Sequence, residues 1–190
     1  AGFAAFMHRK DMAKLLGQVK DICEEKGITF EFPVEIAGEW AGRGIQKGVA
    51  VTELDPFFTV FRVAVGERPN GGLKWLPTGI IGSVNDNEER IFNVLQFGFV
   101  TLNIDFEKPE LIQNTLVQIT EEAEKECPVG KFFGISGIGE GFVWTPADES
   151  LALDSGLWFK VKGDKHSVSK VKTLASVDPE RMANITEFVE

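Results

Sequence analysis

The chain has 190 residues, 43% hydrophobic and 26% charged, which suffices for one domain with a buried core and excludes a disordered or collagen-like polymer. Its 29 acidic against 20 basic residues give a formal charge of -9, which excludes a uniformly basic nucleic-acid wrapper but not a local basic site. No apolar run approaches the roughly 18 residues needed to cross a bilayer.

Residues 9–26 place Met12, Leu15, Leu16, Val19, Ile22 and Cys23 at helical spacing and stop at Gly27, which predicts an amphipathic helix. Residues 28–36 are rich in β-formers, and the glycine-rich run from Gly38 to Gly44 cannot continue as a helix. Residues 57–65 form a near-continuous apolar run between Pro56 and Gly66, the pattern of a buried strand. Pro69-Asn70-Gly71-Gly72 marks a turn, and residues 79–84 and 93–106 are expected to add short strands. Pro109 opens a second helix to about Cys127, with Ile112, Leu116, Ile119 and Ala123 on one stripe. Strands are expected again at Phe142-Val143-Trp144 and over 157–161, and the last residues, 179–190, look helical. Helices inserted at intervals among strands, without regular βαβ alternation, favour an α+β domain built on antiparallel sheet. Cys23 and Cys127, the only cysteines, make neither a disulfide framework nor a zinc site. Both read as buried thiols of a reducing compartment.

Three segments carry chemistry. In Trp158-Phe159-Lys160-Val161-Lys162-Gly163, a strand would project Lys160 and Lys162 to one face. Two like charges side by side suit an anion such as phosphate; an exposed edge strand with solvated lysines fits the same spacing. In Gly137-Ile138-Gly139-Glu140-Gly141-Phe142-Val143-Trp144, Glu140 stands among glycines and apolar residues. It reads either as a Mg²⁺ or Mn²⁺ ligand near phosphates or as a solvated turn residue. No GxGxxG or GxxxxGK[ST] pattern is present. In Gly38-Glu39-Trp40-Ala41-Gly42-Arg43-Gly44-Ile45-Gln46-Lys47, Glu39 could accept hydrogen bonds from a ribose. Phe61, in the following Phe58-Thr59-Val60-Phe61, reads as a core residue or as a platform for a base.

Together these segments resemble the ATP-dependent RNA ligases of the phage RNA ligase 2 type, within the covalent nucleotidyltransferases. GEWAGRGIQK resembles that group's GE(F/W)AGxGIQK stretch, Phe58-Thr59-Val60-Phe61 its aromatic strand, Glu140-Gly141-Phe142-Val143 its EG(V/Y/F)V motif, and Lys160-Val161-Lys162 its KxK motif. The order agrees across residues 28–172. The resemblance implies a nucleotidyltransferase (adenylation) domain of antiparallel sheets flanked by helices, in a cytoplasmic enzyme. It implies that Glu39 contacts the ribose, Phe61 stacks on adenine, Glu140 assists a Mg²⁺ or Mn²⁺ ion, and Lys160 and Lys162 hold the phosphates of ATP and stabilise charge on the α-phosphate. The reaction it implies runs through lysyl-AMP and RNA-adenylate to join RNA 5′-phosphate and 3′-hydroxyl ends.

The chain departs from that pattern in three places. The family's Kx(D/H)G lysine should lie well upstream of Gly38. Lys14-Leu15-Leu16-Gly17 falls in the first helix, and Lys131-Phe132-Phe133-Gly134 comes too late in the order. Both are read as coincidences, and the 190 residues as a partial, N-terminally truncated domain whose residues 173–190 begin a connection to a further region. Arg62 stands where the family often has Asp and could instead pair with either a phosphate or a carboxylate; Thr145 stands near where the family often has Lys. The competing expectations are a nucleotide- or RNA-binding module without catalysis, and a DNA ligase or capping-type nucleotidyltransferase. Lys160, Lys162, Lys165, Lys170 and Lys172, with His166, form a basic stretch that offers RNA a backbone contact, in contrast to the acidic helix over 107–126.

Overall fold

A computed structural model describes residues 2–69, 71–105, 107–148, 151 and 155–163. In chain order the elements are α1 (Phe3–Met7), α2 (Met12–Lys26), β1 (Val34–Ala41), β2 (Phe57–Glu67), β3 (Leu73–Trp75), β4 (Ile91–Asn93), α3 (Glu110–Lys125), α4 (Pro128–Phe132), β5 (Gly141–Trp144) and β6 (Phe159–Lys162). This is a mixed α and β architecture with one four-stranded sheet and a separate β5-β6 hairpin. β2 is the centre of the larger sheet: β1 runs antiparallel along one edge, while β3 and β4 share the other.

Helix α2 forms as its sequence pattern requires. The Asp11 carboxylate accepts from the Ala13 N–H at 3.0 Å, and Gly27 ends the helix at φ 65 with its N–H returned to Cys23 and Glu24. Leu15, Val19, Ile22 and Cys23 are buried against Phe58, Val60, Val63 and Val65 of β2. Full burial of each such aliphatic side chain contributes about 1.5–3 kcal/mol, so this face is a main source of stability. Burial also pushes the Cys23 thiol above its ordinary value, leaving it protonated. Helix α1 was below the length that periodicity reveals. It is held by aromatic contacts, Phe6 on Trp40 at 4.7 Å and Phe3 on Phe58 at 5.0 Å between ring centroids.

Gly38 lies on the core face of β1, where a Cβ would collide with the Thr59 carbonyl and the Phe58 ring. The missing side chain is therefore what lets Phe58 pack flat across the strand. On the opposite face of the sheet a second apolar cluster forms at one end, where Ala41, Phe57 and Phe92 meet Val129 and Phe133 from the α4 region.

The structure corrects several expectations. Residues 79–84 and 93–106 are not strands of the expected length: Thr78–Ile80 and Val94–Phe97 are short 3₁₀ turns, and β4 covers only Ile91–Asn93. Local capping outcompetes the apolar runs. Asn93 accepts from Leu95 N–H at 3.0 Å, and Gln96 accepts from Asn93 N–H at 2.8 Å, which closes a tight turn. β4 runs parallel to β2, so the larger sheet is not wholly antiparallel. The reversal follows from the long connection after β3, which brings the chain back alongside β2. Helix α3 ends at Lys125, and Cys127 instead caps α4, its sulfur 3.5 Å from Gly130 N–H. The expected helix over 179–190 lies outside the described residues. Among the described residues, no helix is long and apolar enough to cross a membrane.

The close approach at Gly38 gives a direct test. Gly38→Ala should cost about 1–3 kcal/mol through overpacking against Phe58. Urea unfolding should show a lower midpoint with an unchanged slope.

Candidate functional site

The site begins with a fault in strand alternation. Val60 pairs with Gly38 and Arg62 with Ala37, so Phe61 is an extra residue on β2. Phe58 and Val60 before the bulge, and Val63 and Val65 after it, all enter the same core. Keeping both pairs inside requires two consecutive residues, Phe61 and Arg62, to leave the core face. Both are half-buried, and Phe61 belongs to neither buried apolar cluster. They share the outer face with Glu39, which pairs across the sheet with Thr59, and with Glu35, which pairs with Ala64.

Most of the GEWAGRGIQK stretch is explained by the fold. Trp40 packs under α1, and Ala41 enters the second core cluster. Gly42, at φ 126, lies against Pro56, where a Cβ would come within 2.7 Å of the proline Cα. Gln46 closes the loop: its Oε1 accepts from Gly42 N–H at 3.0 Å and its Nε2 donates to the Trp40 carbonyl at 3.2 Å. Arg43 donates to the Glu53 carbonyl at 3.1 Å and lies 3.8 Å from Asp55. Glu39 is different. Its side chain is exposed, and among the described residues it makes no hydrogen bond or ion pair.

The second half of the site is the β5-β6 hairpin. Gly141 pairs with Lys162 and Val143 with Lys160, which puts both lysines on one face; Phe142, Trp144, Phe159 and Val161 occupy the other. Glu140 stands just before β5, and its carboxylate lies 3.6 Å from Lys162, with both side chains partly exposed. A surface pair of this kind contributes about 0–1 kcal/mol, enough to orient two side chains but not to lock them. The glycines around Glu140 serve packing rather than a phosphate cradle. Gly139 donates to the Ala123 carbonyl at 3.0 Å, and a Cβ there would approach that oxygen to 2.6 Å. At Gly141, with φ 137, a Cβ would strike the Val161 carbonyl. The run Gly137 to Gly141 is thus pressed between the end of α3 and β6, with Glu140 as its one side chain aimed at the lysine face.

One contact joins the two halves. The Arg62 guanidinium lies 3.9 Å from the Trp75 ring centroid and 4.1 Å from that of Trp158. It is sandwiched between an indole of the larger sheet and an indole at the foot of β6. Each such contact contributes about 0.5–2 kcal/mol. Trp158 precedes β6 by one residue and continues the alternation of Lys160 and Lys162. Burial pushes the Arg62 guanidinium below its ordinary value, and the Glu35 carboxylate opposes that shift.

Glu140 and Lys162 are therefore brought together, Lys160 lies on the same face of the hairpin, and Glu39 and Phe61 lie with Arg62 on the outer face of the larger sheet. Lys165, His166, Lys170 and Lys172 lie outside the described residues. Trp75 and Trp158 received no role from the sequence, and Arg62 only an open choice between a phosphate and a carboxylate partner. The signal for Trp158 was its parity with the two lysines; for Trp75 there was none, because it depends on a short strand pairing.

Neither KxxG lysine has the setting of a nucleophile. Lys14 lies 2.9 Å from the buried Asp86 carboxylate, and the hydrogen bond to Asp86 raises its pKa above the ordinary 10.5. A folded value above the unfolded one means the pairing stabilises the fold below pH 10.5 and fades as pH rises through the raised value. Lys131 is exposed and pairs with Glu126 at 3.4 Å. Among the described residues, no group of three or more His, Cys, Asp or Glu could hold a metal ion. An open groove of about 650 Å³ lies beside α1, lined by Phe6, Lys10, Trp40, Arg43 and Arg90, and contains none of the sequence-predicted site residues.

Comparison with family models, curated proteins and solved structures finds no match to the chain.

The assignment of Lys14 can be checked by competitive acetylation with acetic anhydride at mildly alkaline pH. In Asp86→Asn the ammonium loses its anionic partner, so Lys14 should react several-fold faster than in the parent chain; equal rates would mean that the Asp86 charge does not hold it protonated.

Proposed function

We propose that the chain is an adenylation domain of the kind found in ATP-dependent RNA ligases of the phage RNA ligase 2 type, which join RNA 5′-phosphate and 3′-hydroxyl ends through lysyl-AMP and RNA-adenylate, and that the 190 residues do not themselves form lysyl-AMP because the Kx(D/H)G lysine is absent from them. The observation that carries this reading is the sharing of faces. Glu39, without a hydrogen-bond or ion-pair partner among the described residues, and Phe61, displaced from the core by a bulge, lie on one side of the junction. Glu140, Lys160 and Lys162 lie on the other, and Arg62 stacked on Trp158 joins the two.

In this reading Glu39 accepts the ribose hydroxyls, which explains an exposed carboxylate in a stretch whose other residues close a loop. Phe61 offers its ring to adenine. Lys160 and Lys162 hold the phosphates and stabilise the charge that builds on the α-phosphate when its bond to the leaving group breaks. The larger sheet positions the nucleoside, and the hairpin positions the phosphates.

The donor set suits a divalent cation only in a limited way. Glu140 is a single carboxylate already paired with Lys162, so it fits a Mg²⁺ or Mn²⁺ ion that arrives with the phosphates and keeps most of its water. Such an ion, when bound, offsets phosphate charge.

A nucleotide- or RNA-binding module without chemistry is the second reading. The specific support for it is Lys14, held as an ammonium by Asp86 and so unfit to attack phosphorus.

Calorimetry with AMP should detect binding to the 190-residue chain. Lys160→Ala and Glu39→Ala should each weaken it about tenfold or more, the scale of a charge-assisted hydrogen bond. Incubation with radiolabelled ATP and Mg²⁺ should leave no labelled band on a denaturing gel. Undetectable AMP binding would overturn both readings, and a label lost in Lys14→Ala would overturn the assignment of Lys14.

A further inference from the structure

The guanidinium of Arg62 is held face-on by Trp75 and Trp158, and a planar cation held by its faces presents its edge. Among the described residues, that edge makes no hydrogen bond, and no carboxylate lies within ion-pair distance of it. Glu35 acts on it only at longer range. Arg62 is half-buried, but none of its nitrogens is among the fully buried side-chain atoms that lack a partner, so the edge meets water and has room for an acceptor.

We propose that Arg62 is a phosphate-recognition residue: Trp75 and Trp158 hold its guanidinium flat at the junction of the two sheets, and its N–H edge takes a phosphate monoester through paired N–H···O bonds. Phosphate fits better than carboxylate because of the neighbours. Lys160 lies two residues beyond Trp158 on the same alternation, about 7 Å along the strand, and Lys162 follows it. Among the described residues, Lys162 alone of these three cations has a carboxylate within ion-pair distance, Glu140. Glu35, Glu39 and Glu140 offset the charge of these cations, so it is the number of donors along one line that suits the several oxygens of a phosphate better than the two of a carboxylate. Alternation with the core residue Val63 turns Arg62 to the outer face, and the bulge sets Phe61 beside it. The site does not need the adenylation chemistry, and it fits either the phosphate of a nucleotide or the 5′-phosphate of an RNA end.

Tryptophan emission reports on the stack and gives the test. The parent chain, Arg62→Met and Arg62→Lys are titrated with inorganic phosphate, with AMP, and with a short RNA carrying either a 5′-phosphate or a 5′-hydroxyl. The parent should prefer the phosphorylated ligands. Arg62→Met should weaken their binding about tenfold or more. Arg62→Lys should lose nearly as much, because an ammonium cannot make the paired contact. A 5′-phosphate preference that disappears in Arg62→Met identifies the RNA end as the source, and an effect confined to AMP identifies the nucleotide. Unchanged phosphate preference in Arg62→Met overturns the proposal. If circular dichroism shows that Arg62→Met is unfolded, phenylglyoxal modification of the parent chain decides instead. AMP should protect Arg62 where adenosine does not, and equal modification with both overturns the proposal. Phosphate binding that depends on Arg62 but not on Glu39 keeps this inference and removes the adenylation reading; AMP binding that depends on Lys160 and Glu39 but not on Arg62 does the reverse.

Discussion

An 11-residue strand that feeds one core with Phe58, Val60, Val63 and Val65 must break its alternation once, and that constraint organises this molecule. Strand side chains alternate strictly, so residues 60 and 63 share a face only if one residue is inserted between them. The insertion turns Phe61 and Arg62 outward together. One of them presents an aromatic ring beside Glu39, and the other reaches two indoles. Without the bulge, only one of the two would face outward.

The hairpin depends on a second constraint, the tightness of the chain around Glu140. Ala123, Cys127, Val161 and Ala50 crowd the backbone of residues 137–141, so side chains are excluded at three alternate positions. Backbone bonds complete the clamp: Ala50 N–H donates to the Ile138 carbonyl at 2.9 Å, Cys127 N–H to Gly137 at 2.7 Å and Gly163 N–H to Glu140 at 3.2 Å. A run that looks flexible by composition is therefore among the more tightly held parts of the chain. The glutamate within it has little freedom of backbone, whatever freedom its exposed side chain keeps.

The legible parts of the sequence were those where one local signal dominated. The periodicity of α2 and its Gly27 stop, the apolar run of β2, the Pro109 start of α3 and the alternation of Lys160 and Lys162 all depend on neighbours a few residues away. The expected strands over 79–84 and 93–106 failed because composition does not reveal the Asn93 and Gln96 capping exchange. The parallel pairing of β4 depends on where a long connection returns, which no local pattern encodes. Among site residues, the partner of Glu140 was hidden because it lies across a hairpin in the β6 strand. Phe61 was ambiguous because strict alternation from Phe57 or Val63 assigns it to opposite faces, and only the bulge resolves the conflict. Arg62 could be singled out as a departure, but its two indoles come from elements 13 and 96 residues away in sequence, as the numbering of Trp75 and Trp158 shows.

The ion pair between Glu140 and Lys162 has a consequence for how charges arrive. Each group is the other's present counter-ion. An anion that takes Lys162 frees a carboxylate, and a cation that takes Glu140 frees an ammonium. The two events are linked heterotropically, and by thermodynamic necessity each raises the affinity for the other by the same factor. Since the exposed pair is worth at most about 1 kcal/mol, that factor is about fivefold. The pair thus makes the lysine face selective for opposite charges that come together, over either one that comes alone.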